Sequence, residues 1–409
     1  MRPVAISGPL PGADAGSVGG VAVHTERLAD GLARTGREVL VLDDSHPADR
    51  PQTGAVGVRG AGARHIGALA LRHPAHSAAT AARALYGHRQ AASFVPAATA
   101  ITRSLLIAEA LRTTPAAVLH IQQADYRPLY ADWAGARLSR VIAVHGLGML
   151  HATARPGLEA LVRSNLAGAA AVVTPSEWLA DEVRSLGLPA RNIHVIPNGV
   201  DHALFRPRDR SACKTELSLD PDMPLVVYVG RLTVAKGVGD LLEAWNRVLA
   251  VFPAARLALV GPASDSLPGL PSAHVLTPGA VDMKDAARWL SAADVVAVPS
   301  HYEGFGLSAL EAMASARPVV ATRVGGLSEI VTADAGALVE PRDPGALATA
   351  LLGMLDDPDA ATAAGMAGAR VAANYSWEAT ALAFGKLYDE LLFPDPDSRL
   401  EPCATVTCA

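Results

Sequence analysis

The sequence is poor in the residues that metal centres, disulfide frameworks and membrane spans require. Its three cysteines, Cys213, Cys403 and Cys408, form neither a metal-ligand spacing nor a set of paired half-cystines. No stretch approaches the roughly 18 apolar residues of a membrane span. The longest near-unbroken run, Leu166–Val173, is about half that length. The opening decapeptide Met1–Leu10 carries one arginine and a short apolar run before Gly8-Pro9, too short for a signal-peptide core. The expectation is a soluble, cytoplasmic chain. Aromatics are 4% and charged residues 18% of the chain, the latter below the ~25% of an average domain. Small residues must therefore build much of the core. The lysines are only Lys214, Lys236, Lys284 and Lys386; this arginine bias, with abundant Ala and Gly, resembles GC-rich bacterial coding.

What is present argues for a large folded protein. Half of the 409 residues are apolar, which leaves no room for long disordered stretches and is enough for two or three domains. The net charge of −5 is uneven: residues 1–200 carry +5 and residues 201–409 carry −10. Halves of opposite sign suggest domains with different partners. Residues 54–115 hold seven arginines and four histidines against one acid, Glu109. This basic segment reads as solvated helix faces or as a surface for an anionic acceptor or membrane headgroup.

Short apolar runs alternate with helical patterns throughout. Val4–Ser7, Val39–Leu42, Val118–Gln122, Val141–His145 and Ala171–Pro175 read as strands of a first series. Leu225–Gly230, Arg256–Gly261, Ala273–Leu276, Asp294–Pro299 and Val319–Thr322 read as strands of a second. Strands alternating with helices imply parallel pairing. The break at Pro197–Pro207 separates the two series. The expectation is a first domain at 1–200, a second at 201–375, a helix at 376–393 and a loose tail at 394–409, with the ligand in the cleft between domains.

Several motifs are absent or fail. There is no G-x-G-x-x-G, no G-x-S-x-G and no H-E-x-x-H, and Gly230–Lys236 lacks the P-loop pattern. Asp-Pro-Asp occurs at 220–222, 357–359 and 395–397; proline between the acids reads as a turn, so no metal site is assigned. The informative stretch is Pro299–Glu311, PSHYEGFGLSALE. It follows a strand, and Gly304 and Gly306 allow a tight turn into a helix starting near Leu307. The first amides of that helix make a phosphate site. Glu303 and Glu311 can face one pocket from two depths, and a carboxylate suits vicinal sugar hydroxyls because each oxygen accepts one O–H. Arg231 and Lys236 leave the carboxyl edge of the sheet as complementary cations.

These residues resemble the retaining GT-B glycosyltransferases, specifically glycosyltransferase family 4 (glycosyl transferases group 1). The resemblance rests on Gly19-Gly20, Val144-His145-Gly146, Thr174-Pro175-Ser176, Ile196–Asp201 (IPNGVD), Gly230-Arg231-Leu232 with Lys236-Gly237, Glu303 and Glu311, Thr322 with Gly325-Gly326 and Glu329, and Tyr375-Ser376-Trp377. It implies two Rossmann-like doubly wound α/β domains facing across a cleft, with the last helix crossing back to the first domain. It implies that Arg231 and Lys236 hold a donor diphosphate, Glu311 the ribose, and Glu303 and His145 the transferred sugar. Phe305, Gly306 and Leu307 would line sugar and phosphate, Gly19 and Gly20 would admit the diphosphate, and Val281 would face the base. The catalytic set is His145, Glu303, Arg231 and Lys236.

The activity implied is retaining, metal-independent transfer of a hexose from a nucleotide sugar, with UDP the first base to test. The nucleotide sugar is a substrate, and no cofactor is expected. Gln123, Asp125 and Tyr126, with Gln122, Met149 and His151 nearby, are acceptor candidates. A small-molecule or natural-product acceptor is preferred to a lipid or cell-envelope acceptor reached by peripheral membrane contact through 54–115. A nucleotide-sugar 2-epimerase and a non-catalytic partner subunit are the competing readings; nucleic acid is not an expected partner.

Overall fold

A computed structural model describes residues 2–10, 20–43, 50–53, 56–60, 74–91, 97–113, 116–125, 127–135, 138–148, 150, 157–263 and 274–394. Two α/β domains are built on two separate sheets. The first sheet contains β1 (Val4–Ser7), β2 (Val39–Asp43), β3 (Arg50–Thr53), β4 (Val56–Gly60), β5 (Val118–Gln122), β6 (Ser139–Ala143), β7 (Ala171–Thr174) and β8 (Ile193–Val195). Its order is β3-β4-β2-β1-β5-β6-β7-β8. The second contains β9 (Leu225–Val229), β10 (Arg256–Val260), β11 (Val275–Gly279), β12 (Val295–Val298), β13 (Val319–Thr322) and β14 (Gly336–Val339), in the order β11-β10-β9-β12-β13-β14. Among the described strands every pairing is parallel except β3–β4.

The central strands are continuous apolar runs because helices cover both faces, as parallel sheets require. Val295–Val298 is buried along its whole length, as are Val4–Ser7 and Val319–Thr322. Chain order reverses between β1 and β5 in the first sheet and between β9 and β12 in the second. Crevices at the carboxyl ends of strands on either side of such a reversal are where open α/β sheets bind ligands.

The helix Trp377–Leu392 returns to the first domain. Phe384 and Tyr388 are buried in the core that β1 and β2 share with Leu28 and Leu32 of helix Gly20–Arg34. Burial of each ring contributes about 1.5–3 kcal/mol. Tyr388 Oη lies 2.6 Å from His120 Nδ1, and Arg37, almost wholly buried, donates to both oxygens of Asp389 at 2.8 and 2.9 Å. The two crossings between domains run side by side, with Val200 bridged to Ser376.

Several elements differ from the sequence expectation. The strand expected at Ala273–Leu276 begins at Val275 and runs to Gly279. Asp357-Pro358-Asp359 is not merely a turn. Asp357 is the N-cap of helix Pro358–Ala372, accepting from Ala360 N at 2.9 Å with proline in the first turn. Basic segment 54–115 contributes β4 and the helices Pro74–Ala91 and Ala97–Thr113. Ala97–Thr113 buries Leu106, Ile107 and Ala110 in the core, so this face is packing surface. No described helix is long and apolar enough to cross a membrane.

Candidate functional site

A cavity of about 330 Å³ lies in the cleft, lined by both domains. Its second-domain wall is built from the loops that follow β9, β10, β11 and β12. Strand β9 ends at Val229, and Tyr228 Oη donates to the Arg231 carbonyl at 2.7 Å, which fixes the loop carrying the guanidinium. Lys236 sits in a 3₁₀ turn, Val234–Lys236, just before the helix Val238–Val251. Its Nζ donates to Glu303 Oε2 at 2.6 Å, and Ser300 Oγ donates to the same oxygen at 3.1 Å. Arg231 makes no ion pair among the described residues and lines the cavity.

The turn after β12 uses glycine where nothing else fits. Gly306 has φ 104°, and a Cβ there would lie 2.5 Å from Leu327 Cδ2. The helix Leu307–Ala314 follows, and Phe305, Gly306, Leu307 and Ser308 line the cavity at its amino end. Unpaired amides at a helix start, with the positive end of its dipole, suit a phosphate. Glu311 lies one turn further in. Desolvation raises its carboxyl to about 8, against the opposing pull of Arg27. Ala280, Val281 and Asp282 close the wall after β11.

The first domain supplies Gly20, Val21 and Val23 from the start of its first helix, then His145, Pro175 and Asn198. His145 Nε2 lies 2.6 Å from Gln122 Oε1, which accepts from the ring N–H. Its ring also stands edge-on to His24 with centroids 4.5 Å apart. Burial lowers His145 to about 4 and His120 to about 3, and His24 is pushed well below the ordinary histidine value by burial and by its histidine neighbours. All three imidazoles are neutral at pH 7.

The structure brings His145, Arg231, Lys236, Glu303 and Glu311 to one cavity, with Gly20, Val281, Phe305, Gly306 and Leu307. Gly19, Tyr126, Met149 and His151 lie outside the described residues. Gln123 and Asp125 do not line this cavity. Asp125 is buried and paired with Arg127 at 2.6 Å, and the Gln123 amide oxygen also accepts from Arg127. The turn after β5 closes these side chains into a local cluster, which sequence position alone does not reveal. Gln122 instead supports His145.

Two cavity residues, Asn198 and Ser300, and two residues that bridge the cleft, Ser176 and Glu329, were not legible as such. Asn198 is 5% exposed and its Oδ1 is buried with no partner among the described residues, although in the sequence it reads as a turn residue of the interdomain connection. Ser300 braces Glu303. Ser176 is the N-cap of helix Glu177–Ser185 and also donates to Gly304 O at 2.6 Å across the cleft. Glu329 completes that cap from the second domain, accepting from the amides of Glu177 at 3.1 Å and Trp178 at 2.6 Å. In the basic segment, Arg83 donates to Thr80 and Ala134, and Arg112 pairs with Glu109.

Comparison with known proteins gives a consistent family pattern. A family model described as "Glycosyl transferase 4-like domain" matches residues 19–199, and one described as "Glycosyl transferases group 1" matches residues 223–357. A D-inositol 3-phosphate glycosyltransferase of Segniliparus rotundus is 41% identical over 206 residues, covering 47% of this chain and 45% of that protein. D-inositol 3-phosphate glycosyltransferase 1 of Catenulispora acidiphila is 32% identical over 292 residues, covering 62% and 69%. The chain spans about half the length of most of the curated relatives it matches. Among solved structures, sucrose-phosphate synthase of Thermosynechococcus elongatus superposes with a TM-score of 0.77 at 24% identity, over 97% of this chain and 100% of that one. HepE of Anabaena, solved in complex with UDP and glucose, gives a TM-score of 0.71 at 18% identity over 95% and 100%. At these identities the structural likeness speaks for the fold, two Rossmann-like domains in the GT-B arrangement.

Proposed function

Because the chain belongs to glycosyltransferase family 4, the glycosyl transferases group 1, we propose that it transfers a hexose from a nucleoside-diphosphate sugar to a hydroxyl of a small-molecule acceptor. The observation that carries this reading is one cavity holding cations, helix amides and two carboxylates at different depths. Arg231, Lys236 and the amides at Phe305–Leu307 are arranged for a diphosphate. Negative charge grows on that group as the glycosidic bond breaks. Fixed donors stabilise it without reorganising, which is usually the largest catalytic contribution. This supports departure of the diphosphate without an acid or metal on the leaving group.

Glu311 suits the ribose, Glu303 the transferred sugar, and His145 faces the sugar from the first domain. No second carboxylate stands opposite Glu303 as a nucleophile among the described residues lining the cavity. With retention taken from the family resemblance, that favours attack from the face the diphosphate leaves, with the departing phosphate accepting the hydroxyl proton. Cleft closure excludes water and so limits donor hydrolysis. The relatives' names make D-inositol 3-phosphate the first acceptor to test, and the UDP-bound structural neighbour makes UDP-glucose the first donor.

The test is a thermal-shift screen of UDP, GDP, ADP and dTDP sugars, in which a ligand of the native state raises the midpoint. The selected donor is then incubated with D-inositol 3-phosphate and other polyols. One nucleotide sugar should shift the melting curve and yield a glycoside of unchanged anomeric configuration. No shift with any donor, or conversion of a donor alone to its epimer, overturns the reading.

A further inference from the structure

Glu303 is held in the second domain by Lys236 and Ser300, yet both of its chain neighbours are gripped by the first domain. The ring of Tyr302 lies flat to the backbone of residues 146–148; a Cβ on Gly146 or Gly148 would meet it at 3.2 or 3.3 Å. Its hydroxyl accepts from Leu147 N at 2.7 Å and donates to Glu182 Oε2 at 2.6 Å. Trp178 stands edge-on to the ring with centroids 5.4 Å apart. On the other side of Glu303, the Gly304 carbonyl accepts from Ser176 Oγ. Gly304 itself passes so close to the His145 carbonyl that a Cβ would lie 2.2 Å from it.

A hydroxyl that both accepts and donates is satisfied only when the two domains meet. Leu147 and Glu182 belong to different segments of the first domain, so Tyr302 bridges the strand end that carries His145 and the helix Glu177–Ser185. We propose that Tyr302 is a positioning residue that makes the placement of Glu303 over the donor sugar depend on closure of the first domain. Nucleotide binding needs Arg231, Lys236 and Glu311, all of them carried by the second domain. Sugar transfer would need Tyr302 docked as well. The inference rests on the proposed function for its catalytic consequence, though not for the closure itself.

Tyr302→Phe keeps the ring and removes both hydrogen bonds. It should lower kcat for transfer roughly ten- to hundredfold while leaving the Kd of UDP within about twofold. The fraction of donor lost to water should rise. Glu182→Gln, whose amide oxygen still accepts, should retain activity, and Glu182→Leu should behave like Tyr302→Phe. Combining Tyr302→Phe with Glu182→Leu should add little, because they break one contact. Unchanged kcat in Tyr302→Phe overturns the proposal, as does a parallel loss of UDP affinity. If Tyr302→Phe does not fold, Glu182→Leu against Glu182→Gln decides the same question. Small-angle scattering of the free proteins separates this inference from the functional reading. A radius of gyration larger in Tyr302→Phe than in the native chain supports the latch, and superposable curves overturn it. Absence of transfer by the native chain would count against the function alone.

Discussion

Lys236 Nζ lies 2.6 Å from Glu303 Oε2, with the two side chains 27% and 17% exposed. The cation assigned to the diphosphate and the acid assigned to the sugar therefore neutralise each other before a donor arrives. Removing either partner alone leaves the other unpaired in a partly dry cleft. Lys236→Ala should weaken donor binding about 10- to 100-fold, or ~1.4–2.7 kcal/mol. Lys236→Ala with Glu303→Ala should bind better than the product of the single losses predicts. Calorimetric titration of all four proteins with the donor checks this; strictly additive losses would show that the pair is not coupled.

Glu311 gives a pH dependence of definite sign. Its carboxyl is raised to about 8 from an ordinary value of 4.5, chiefly by desolvation. The folded protein keeps this proton between those two pH values, where the unfolded chain has released it. Stability from this group therefore falls as pH rises from 4.5 through about 8. Glu311→Gln holds the neutral form at every pH. Its Tm relative to the native chain should climb by a few degrees between pH 5 and 9, while turnover should fall most above about pH 8, where the native group is a carboxylate with two accepting oxygens and Gln offers one. A Tm difference independent of pH would refute the assignment.

The buried imidazoles act in the opposite sense. His145 titrates near 4 and His120 near 3 in the folded protein, against 6.5 for an ordinary histidine, in both cases through burial. The unfolded chain gains these protons first as pH drops. Stability should be complete above about 6.5 and decline towards pH 4. The urea midpoint measured at half-unit intervals tests this, and His145→Asn should flatten the decline. A midpoint that holds steady across that interval would rule it out.

Asn198 predicts a trade between stability and activity. Its buried Oδ1 has no partner among the described residues, and its side chain lines the cavity. Leaving a polar atom in that state costs about 1–3 kcal/mol. Asn198→Leu, of similar shape, should raise stability by roughly 1 kcal/mol and lower turnover. Paired denaturation and kinetic measurements check both directions; loss of stability with intact turnover would make Asn198 a structural residue only.

Five of the six strands of the second sheet and the turn Pro299–Glu311 could be read in advance because their physics is local, whereas Gly336–Val339 could not. Val295–Val298 and residues 319–321 are apolar without interruption, and two glycines lie between Glu303 and the helix that carries Glu311. Helix Pro358–Ala372 was hidden by its own start, since Asp-Pro suits both a turn and an N-cap, and its Ala and Gly residues give little periodicity. Strand Arg50–Thr53 was illegible because Arg-Pro-Gln-Thr carries no alternation and owes its pairing to Val56–Gly60 alone. Tyr302, Ser176 and Glu329 could not be assigned as cleft-bridging residues, because their partners belong to the opposite domain. Asp125 pairs with Arg127 two residues away, a contact that only the fold shows.

The helix that returns to the first domain has a consequence for biosynthesis. Tyr388 bonds to His120 across 268 positions of sequence, and Phe384 fills the same core. A ribosome adding ~5–20 residues per second needs on the order of 15–50 s to supply that helix. Throughout that interval the nascent first domain must emerge with a groove of apolar side chains still uncovered. Its completion waits on the whole of the second domain, so the part translated earliest is among the last to be finished.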